Sequence, residues 1–298
     1  MEGTYSTTIT RPHLFRNYLH AQLDLIESDY AIRLDVQPSD QEIPFPYVLD
    51  GEATAQLAGM APQEIARHFP HTDLADIGDE LADGIELEDP EQHIPLSLFD
   101  GLRTDFSLAR LRHYTGTAPE HFQRYILFTN YHRYVDAFVD WAVEQVKDDS
   151  TEYEALSAAG FVHVDASTED PVGEISGAPW RRFQMPAYHL KSRDGRGITL
   201  VNIGVGPSNA KNITDHLAVL RPECWMMIGH CGGLRHSQRL GDYVLAHAYL
   251  RYDSVLDRDL PVEIPIPPIA EIQLALQEAV ESVSGDDAGE LKRRLRTG

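Results

Sequence analysis

The segment from Gly197 to Leu234 limits the possible folds of this chain more than any other part of the sequence. Two apolar runs, Ile198 to Ile203 and Cys224 to Ile228, flank a helical segment from about Ser208 to Leu220. This order predicts one β-α-β unit, in which the helix connects two parallel strands of the same sheet. The sequence therefore predicts an α/β fold.

A glycine-rich turn follows each of the two predicted strands. Gly204-Val205-Gly206-Pro207-Ser208 follows the first strand, and Gly229-His230-Cys231-Gly232-Gly233 follows the second. Glycine lets a ligand approach the backbone closely, and Pro207 suits the first turn of a helix, where free N–H groups favour anions. Open α/β sheets bind ligands at the carboxyl ends of neighbouring parallel strands, so the two turns together indicate a binding site. Either turn alone could be a tight turn without a function.

The composition excludes several classes of partner. The 298 residues include 25 basic and 47 acidic side chains, which give a formal net charge of −22. This charge disfavours nucleic acid and anionic membrane as partners, and an anionic substrate needs a local basic pocket. No apolar run reaches about 18 residues and Met1 to Arg11 has no apolar signal core, which predicts a cytoplasmic protein. The spacing of Cys224 and Cys231 matches neither CxxC nor a zinc signature, so we expect free thiols and no metal site.

The rest of the chain predicts further helices, strands and a linker. Thr117 and Glu120 form a capping box, which predicts a long helix that continues to about Lys147. Asp165 to Gly177 is rich in acidic and small residues and is the best linker candidate, so we place a domain boundary near residue 175. His71 to Asp100 holds ten acidic residues and no lysine or arginine, which we interpret as a solvated surface and not as a calcium loop. Further expected elements are a helix from Asn17 to Ile26, a buried strand from Gly241 to Tyr249 and a helix from Ile269 to Val283.

Several longer segments identify a family. The two turns lie within IGVGPSNAKNITDHLAVLRP and IGHCGGLRHSQRLGDYVLAHAYLR, while FPYVLDG, SLARLRHYTGT and FTNYHRYVD lie in the first half of the chain. These segments resemble the AMP nucleosidases of the nucleoside phosphorylase superfamily, and the resemblance spans almost all 298 residues. It implies a regulatory and assembly domain of the α+β class over residues 1–175. It implies a nucleoside-phosphorylase-like catalytic domain over residues 176–298, with a mixed or parallel sheet flanked by helices and an incomplete C-terminal end.

The resemblance also implies an activity and a substrate. AMP nucleosidases hydrolyse the N-glycosidic bond of AMP to adenine and ribose 5-phosphate, through a sugar with oxocarbenium character. In this superfamily the two turns hold the ribose and the phosphate. The implied substrate-binding residues are Gly204, Val205, Gly206, Ser208, His230, Cys231, Gly232, Gly233 and Arg235.

The second turn bears on the reaction type. Phosphorylases carry an arginine and a serine around this turn to hold phosphate as the nucleophile, whereas this chain has Met227 and His230. The missing guanidinium favours water as the nucleophile. His230 is either a weak catalytic candidate or a structural histidine bonded to the backbone, and Arg235 is the preferred candidate for the 5′-phosphate of AMP. The family's catalytic aspartate and ribose-binding glutamate are expected beyond Gly298, so the chain as given lacks the expected acid.

The first half of the chain carries candidate regulatory contacts. Arg110, Arg112, His113 and Arg133 lie near tyrosines in the sequence, as phosphate and purine binding would require, although pairing with the many carboxylates explains the same residues. The resemblance implies ATP as an allosteric activator, phosphate as an inhibitor, a homohexamer, and no metal or organic cofactor. Two alternatives stay open for the function: a purine nucleoside phosphorylase, or an inactive nucleotide-binding and assembly module.

Overall fold

The computed structural model describes residues 9, 11–29, 31–38, 101–250, 261–284 and 294–297. The chain divides into two compact units, Met1–Ile228 and Gly229–Gly298. The acidic segment from His71 to Asp100 lies outside the described residues. Within the described part of the chain, no helix combines the length and the apolar character that a bilayer span requires.

A six-stranded mixed sheet forms the centre of the first unit. Its strands are β1 (Tyr125–Thr129), β2 (Tyr153–Ala158), β3 (Val162–Asp165), β4 (Ala187–Ser192), β5 (Ile198–Asn202) and β6 (Cys224–Met227). The order across the sheet is β3-β2-β4-β5-β1-β6. The strands β5, β1 and β6 run parallel, whereas all other neighbours are antiparallel. The carboxyl ends of these three parallel strands therefore meet at one edge of the sheet.

Helices cover both faces of this sheet. They are α2 (Gly101–Thr115), α3 (His132–Lys147), α4 (Pro171–Gly177) and α5 (Pro207–Leu217), and a further helix, α1 (Arg16–Asp29), lies earlier in the chain. One face packs against α3 and α4 through residues such as Leu156 and Leu200, and the other packs against α2 and α5 through Val201 and Ile213. These four side chains are fully buried, and burial of one such side chain contributes roughly 1.5–3 kcal/mol.

The predicted long helix from Thr117 to Lys147 is wrong, because strand β1 interrupts it. Only its second part, α3, is helical, and a short 3₁₀ helix, Pro119–His121, follows Ala118 in the N-cap position. The hydroxyl of Thr117 does not cap that helix, since it lies 2.8 Å from Nε2 of His189 inside the core. Strand β1 forms because its aromatic and apolar residues pair with β5 on one side and β6 on the other.

The predicted β-α-β unit has the expected elements but not the expected neighbours. Strand β5, helix α5 and strand β6 lie close to their predicted positions, with a 3₁₀ turn, Ala218–Leu220, completing the helical segment. The two strands are parallel but not adjacent, because β1 lies between them. The prediction of neighbouring strands was therefore wrong, although both strands still end at the same edge.

The predicted linker from Asp165 to Gly177 is mostly ordered secondary structure. Asp170 caps α4 by accepting a hydrogen bond from the backbone N–H of Gly173 at 2.9 Å, and Ile175 is buried in the core. The linker prediction was wrong because a short capped helix has the same small and acidic composition as a linker. The predicted domain boundary near residue 175 stays a prediction, and the six-stranded sheet takes strands from both sides of it.

The described part of the second unit has little regular structure. A short strand β7 (Tyr243–Leu245) pairs in parallel with β8 (Leu295–Thr297), and Tyr249 forms an isolated bridge with Ile266. The expected buried strand from Gly241 to Tyr249 is thus shorter than predicted, and Tyr243 and Val244 are exposed. The expected helix from Ile269 to Val283 is confirmed as α6 (Ala270–Ser284), and the expected helix from Asn17 to Ile26 is confirmed as α1.

Candidate functional site

The carboxyl edge of the three parallel strands is the candidate site of the first unit. After β5 the chain enters the glycine turn at Gly204, and after β1 it enters the segment Asn130–Arg133. Strand β1 lies next to β5 in the sheet, so these two segments leave the sheet side by side. The predicted helix from Thr117 to Lys147 includes Asn130–Arg133, so the sequence prediction misses this position. The signal that could have found it is the run Tyr-Ile-Leu-Phe-Thr followed by an asparagine.

The glycine turn has a backbone that favours glycine. Gly204 has φ of +65° and Gly206 has φ of +109°, and both values lie in the region that side chains disfavour. Gly206 is the N-cap residue of α5, and Pro207 occupies the first helical position. The first turn of α5 holds no acidic residue, so the positive end of the helix dipole and its free N–H groups are available to an anion.

Side-chain amides hold the glycine turn in place. The Oδ1 atom of Asn202 accepts a hydrogen bond from the backbone N–H of Gly204 at 3.2 Å. Asn209, in the first turn of α5, donates from Nδ2 to the carbonyl of Ile203 at 3.0 Å, and its Oδ1 atom accepts from Gln184 at 3.4 Å. The turn is therefore fixed from the strand that precedes it and from the helix that follows it.

The segment after β1 is anchored in a similar way. The hydroxyl of Thr129 accepts a hydrogen bond from the backbone N–H of Tyr131 at 3.3 Å, and His132 begins α3 with its ring centroid 5.1 Å from that of Trp180. Among the described side chains, Asn130 has a buried Oδ1 atom without a hydrogen-bond partner. A buried amide oxygen in that state can accept a hydrogen bond from a ligand or a water molecule.

The candidate regulatory cations lie against aromatic rings. Arg110 lies 4.3 Å from the ring centroid of Tyr114 and bonds to its hydroxyl, while Arg112 lies 5.0 Å from the ring centroid of Phe161. Arg133 lies 5.2 Å from the ring centroid of Tyr134, and His113 is exposed with its ring 5.4 Å from that of Tyr114. The structure does not bring all four together, because α2 and α3, which carry them, pack on opposite faces of the sheet.

Tyr114 connects this group to the helix that begins at the glycine turn. Its hydroxyl accepts a hydrogen bond from Nδ2 of Asn212 at 2.8 Å, and its ring stacks on that of His216 with centroids 6.1 Å apart. Both partners belong to α5. Arg110 therefore contacts α5 through Tyr114.

The second turn, Gly229–Gly233, begins the second unit, and its residues are exposed. Arg235 is exposed, and its backbone N–H bonds to Oε1 of Gln238 at 2.9 Å. Cys231 is also exposed, whereas Cys224 in β6 is partly buried, and burial raises the pKa of its thiol. The roles of His230, Cys231 and Arg235 in binding a ligand stay predictions.

A second polar cluster lies inside the first unit, around the fully buried His189 of β4. Its Nδ1 atom lies 2.9 Å from the hydroxyl of Thr199, and its Nε2 atom lies 2.8 Å from the hydroxyl of Thr117. Burial lowers the pKa of His189 well below its ordinary value, and the nearby charges of His121 and Lys191 lower this pKa further. The pKa of the half-buried His121 is lowered too, first by burial and then by Lys191. The lowered pKa values favour the neutral form of both imidazoles, which suits a structural role in the core.

Two parts of the chain match models of known protein families. Residues 1–93 match the family model described as the bacterial AMP nucleoside phosphorylase N-terminus, and residues 163–298 match the phosphorylase superfamily model. The chain is 60% identical over 296 residues to an AMP nucleosidase of Escherichia coli strain K12. This alignment covers 99% of the chain but 60% of the E. coli protein, so the chain spans about three fifths of the length of that relative.

More distant similarities also exist. A uridine phosphorylase of Thermococcus kodakarensis is 26% identical over 110 residues, which cover 35% of this chain and 40% of that protein. The crystal structure of an AMP nucleosidase from Bacteroides thetaiotaomicron superposes with a TM-score of 0.47 at 24% identity, and the superposition covers 66% of each chain.

Proposed function

Because this chain is similar to AMP nucleosidases and matches the phosphorylase superfamily over residues 163–298, we propose that the protein hydrolyses the N-glycosidic bond of AMP. The products are adenine and ribose 5-phosphate. The observation that carries the proposal is the 60% identity to the E. coli enzyme over 296 residues of this chain, which include both glycine turns and the segment after β1. The mixed sheet flanked by helices is a nucleoside-phosphorylase-like fold, which supports the same proposal.

The proposed reaction places specific demands on the site. The bond between C1′ and N9 breaks, its electron pair leaves with adenine, and the oxygen of water bonds to C1′. The water loses one proton, and adenine gains one. Polar groups around the cationic sugar and proton transfer to the purine lower the barrier for such a reaction.

The glycine turn after β5 supplies groups of the required kind. Gly204, Val205, Gly206 and Ser208 present backbone groups at the start of α5, where the helix dipole favours an anion. We propose that these residues contact the ribose and phosphate of AMP. His230, Cys231, Gly232, Gly233 and Arg235 are also proposed as substrate contacts, on the basis of the family resemblance. Arg235 is the proposed partner of the 5′-phosphate, since guanidinium groups bind phosphate through two parallel hydrogen bonds.

Water, and not inorganic phosphate, is the proposed nucleophile. Met227 ends β6 with a half-exposed side chain, and a thioether cannot bind phosphate as an arginine does. This residue therefore supports hydrolysis over the phosphorylase alternative.

Regulation and assembly form the remaining part of the proposal. We propose that ATP activates the enzyme, that phosphate inhibits it, and that Arg110, Arg112, His113 and Arg133 include the effector contacts. The contact of Arg110 with Tyr114, and of Tyr114 with α5, supports a link between such an effector and the glycine turn. A cytoplasmic homohexamer without a metal or organic cofactor completes the proposal.

Hydrolysis in H₂¹⁸O tests the reaction directly. The full-length protein is incubated with AMP in the absence of inorganic phosphate. The products are then separated and identified by mass spectrometry. We expect adenine and ribose 5-phosphate with one ¹⁸O atom at C1. Formation of ribose 1,5-bisphosphate, only when phosphate is added, would show a phosphorylase instead, and no release of adenine would refute both activities.

The role of Arg235 is tested by substitution. Arg235→Ala should raise KM for AMP about 10- to 100-fold, because a charge-assisted hydrogen bond contributes roughly 1.5–3 kcal/mol. Arg193→Ala is the matched control, since Arg193 is an exposed arginine that pairs with Glu154 at 3.7 Å, before the start of β5. An unchanged KM in Arg235→Ala would remove Arg235 from the site.

A further inference from the structure

Two buried polar residues end the strands β1 and β5 at the same level of the sheet. Thr129 and Asn202 are register partners in the parallel pair, and they are 0% and 5% exposed. Each uses a side-chain oxygen to accept the backbone N–H two residues further along, Tyr131 in one case and Gly204 in the other. A side-chain oxygen in this position fixes the first residues of a loop.

Asn202 has a second contact that Thr129 cannot make. Its Nδ2 atom lies 3.4 Å from Nδ1 of His132, the first residue of α3. The same side chain thus binds the glycine turn after β5 and the helix that follows β1. The backbone adds a direct link between the two strand ends, since the N–H of Ile203 bonds to the carbonyl of Thr129 at 2.8 Å.

We propose that Asn202 is a positioning residue that holds the glycine turn at Gly204 in register with the start of α3. It does not contact the reacting atoms. Its amide oxygen sets the direction of the turn, and its amide nitrogen ties that turn to His132. The inference rests on the proposed function, because positioning matters for catalysis only if the turn contacts the substrate.

A pair of substitutions with the same shape separates the hydrogen bond from packing. Asn202→Thr keeps an oxygen that can accept the N–H two residues on, as Thr129 does in the neighbouring strand. Asn202→Val has the shape of threonine without that oxygen, and both residues suit a strand. The control Thr129→Val removes the corresponding oxygen from the neighbouring loop.

Hydrogen exchange measures the position of the turn without any activity. In Asn202→Val the amide of Gly204 should exchange about tenfold faster, the effect of losing one hydrogen bond, whereas Asn202→Thr should stay close to the wild type. Thr129→Val should accelerate exchange in peptides over residues 130–134 and leave those over residues 203–209 unchanged. Equal exchange of the peptide that contains Gly204 in the valine and threonine variants would overturn the proposal.

Kinetics with AMP then test the consequence for catalysis. We expect kcat/KM to fall about 10- to 100-fold in Asn202→Val, the range for a misplaced site loop, and only a few-fold in Asn202→Thr. A purely structural residue would lower the melting temperature of Asn202→Val and leave its kcat/KM unchanged at temperatures where it is folded. If the wild type releases no adenine from AMP, the proposed function fails, while the exchange comparison still decides whether Asn202 positions the turn.

His132 provides the last check on the link. His132→Ala should reduce kcat/KM in the wild type, and it should have no further effect in Asn202→Thr, because threonine has no amide to bond to it. Additive effects of the two substitutions would show that the contact between Asn202 and His132 does not position the turn.

Discussion

The buried His189 should make the stability of the first unit depend on pH in a defined direction. Its pKa is lowered by burial in the folded protein, while in the unfolded chain it lies near 6.5. Above pH ~6.5 both states are neutral and the contribution of His189 to stability is complete. Below that pH the unfolded chain binds a proton that the folded protein does not, so stability falls as the pH falls, until the pH reaches the lowered pKa.

The size of the effect follows from one proton. Each pH unit below ~6.5 costs about 1.4 kcal/mol per histidine that stays neutral in the folded state. Between pH 6.5 and pH 5.0 the wild type should therefore lose up to about 2 kcal/mol through His189 alone.

The variant His189→Gln removes this titration together with the contacts of the ring. At pH 8 it loses the ring contact with Phe122, whose centroid lies 4.6 Å away, and two hydrogen bonds to Thr117 and Thr199. These losses amount to about 2–4 kcal/mol. The free energies of unfolding of wild type and variant should then differ by up to about 2 kcal/mol less at pH 5 than at pH 8. The reason is that acidification destabilises only the wild type through a buried histidine that stays unprotonated.

Urea unfolding, monitored by tryptophan fluorescence, measures the free energy of unfolding of the first unit, which contains His189. All three tryptophans of the sequence, Trp141, Trp180 and Trp225, belong to the first unit. His20→Gln is the matched control, since His20 is an exposed histidine on α1. The reasoning would be refuted if the free energies of unfolding of wild type and His189→Gln differed by the same amount from pH 8 to pH 5. A difference in the free energy of unfolding that grows on acidification would show that the folded state favours the protonated imidazole.

Two further predictions concern a glycine and the cysteines. Gly197→Ala should destabilise the first unit by at least roughly 2 kcal/mol, because a Cβ atom there would lie 2.1 Å from the carbonyl oxygen of Leu190. Gly177→Ala, whose Cβ atom would meet nothing within 4 Å, should change stability by less than about 0.5 kcal/mol, and urea unfolding compares the two. A maleimide should label the exposed Cys231 well before the partly buried Cys224, as followed by mass spectrometry. AMP should slow the labelling of Cys231, and labelling that is unaffected by saturating AMP would remove Cys231 from the proposed site.

The elements around the glycine turn could be predicted from the sequence because their signals are local. Strand β5 is a short apolar run, and Pro207 follows Gly206 where the helix begins. Both features depend on residues within a few positions of each other. The resemblance of the segments around the two turns to a known family then implied a substrate-binding role for the same residues.

Strand β1 could not be predicted in this way because its reason lies elsewhere in the chain. The run Tyr125–Thr129 has no alternation of polar and apolar residues, since it is covered on both faces and paired on both sides. Its partners begin at Ile198 and Cys224, more than 70 residues further on. The capping-box pattern at Thr117 and the helical pattern of α3 therefore predict one continuous helix in place of a short strand. For the same reason, the sequence does not predict that the segment after β1 belongs to the candidate site.

The two edges of the parallel strands differ in a way that explains why ligands would bind at one of them. At the amino edge, Oε1 of Gln123 accepts hydrogen bonds from the backbone N–H groups of Ser192 and Gly197, both at 3.3 Å. Glu223, just before β6, bonds there to Arg124 at 2.6 Å and to Arg196 at 2.9 Å. The polar groups of that edge thus satisfy one another.

At the carboxyl edge, side chains fix the loops, but some polar groups stay available to a ligand. Asn202 and Thr129 fix the loops, yet the first turn of α5 presents N–H groups without intrahelical acceptors, and the buried Oδ1 atom of Asn130 has no partner among the described residues. A nucleotide offers both kinds of partner, since its phosphate accepts hydrogen bonds and its ribose hydroxyls donate them. The direction of the three parallel strands therefore decides at which edge of the first unit the proposed AMP site lies. The segment after strand β1 supplies an acceptor that the β-α-β unit alone would lack.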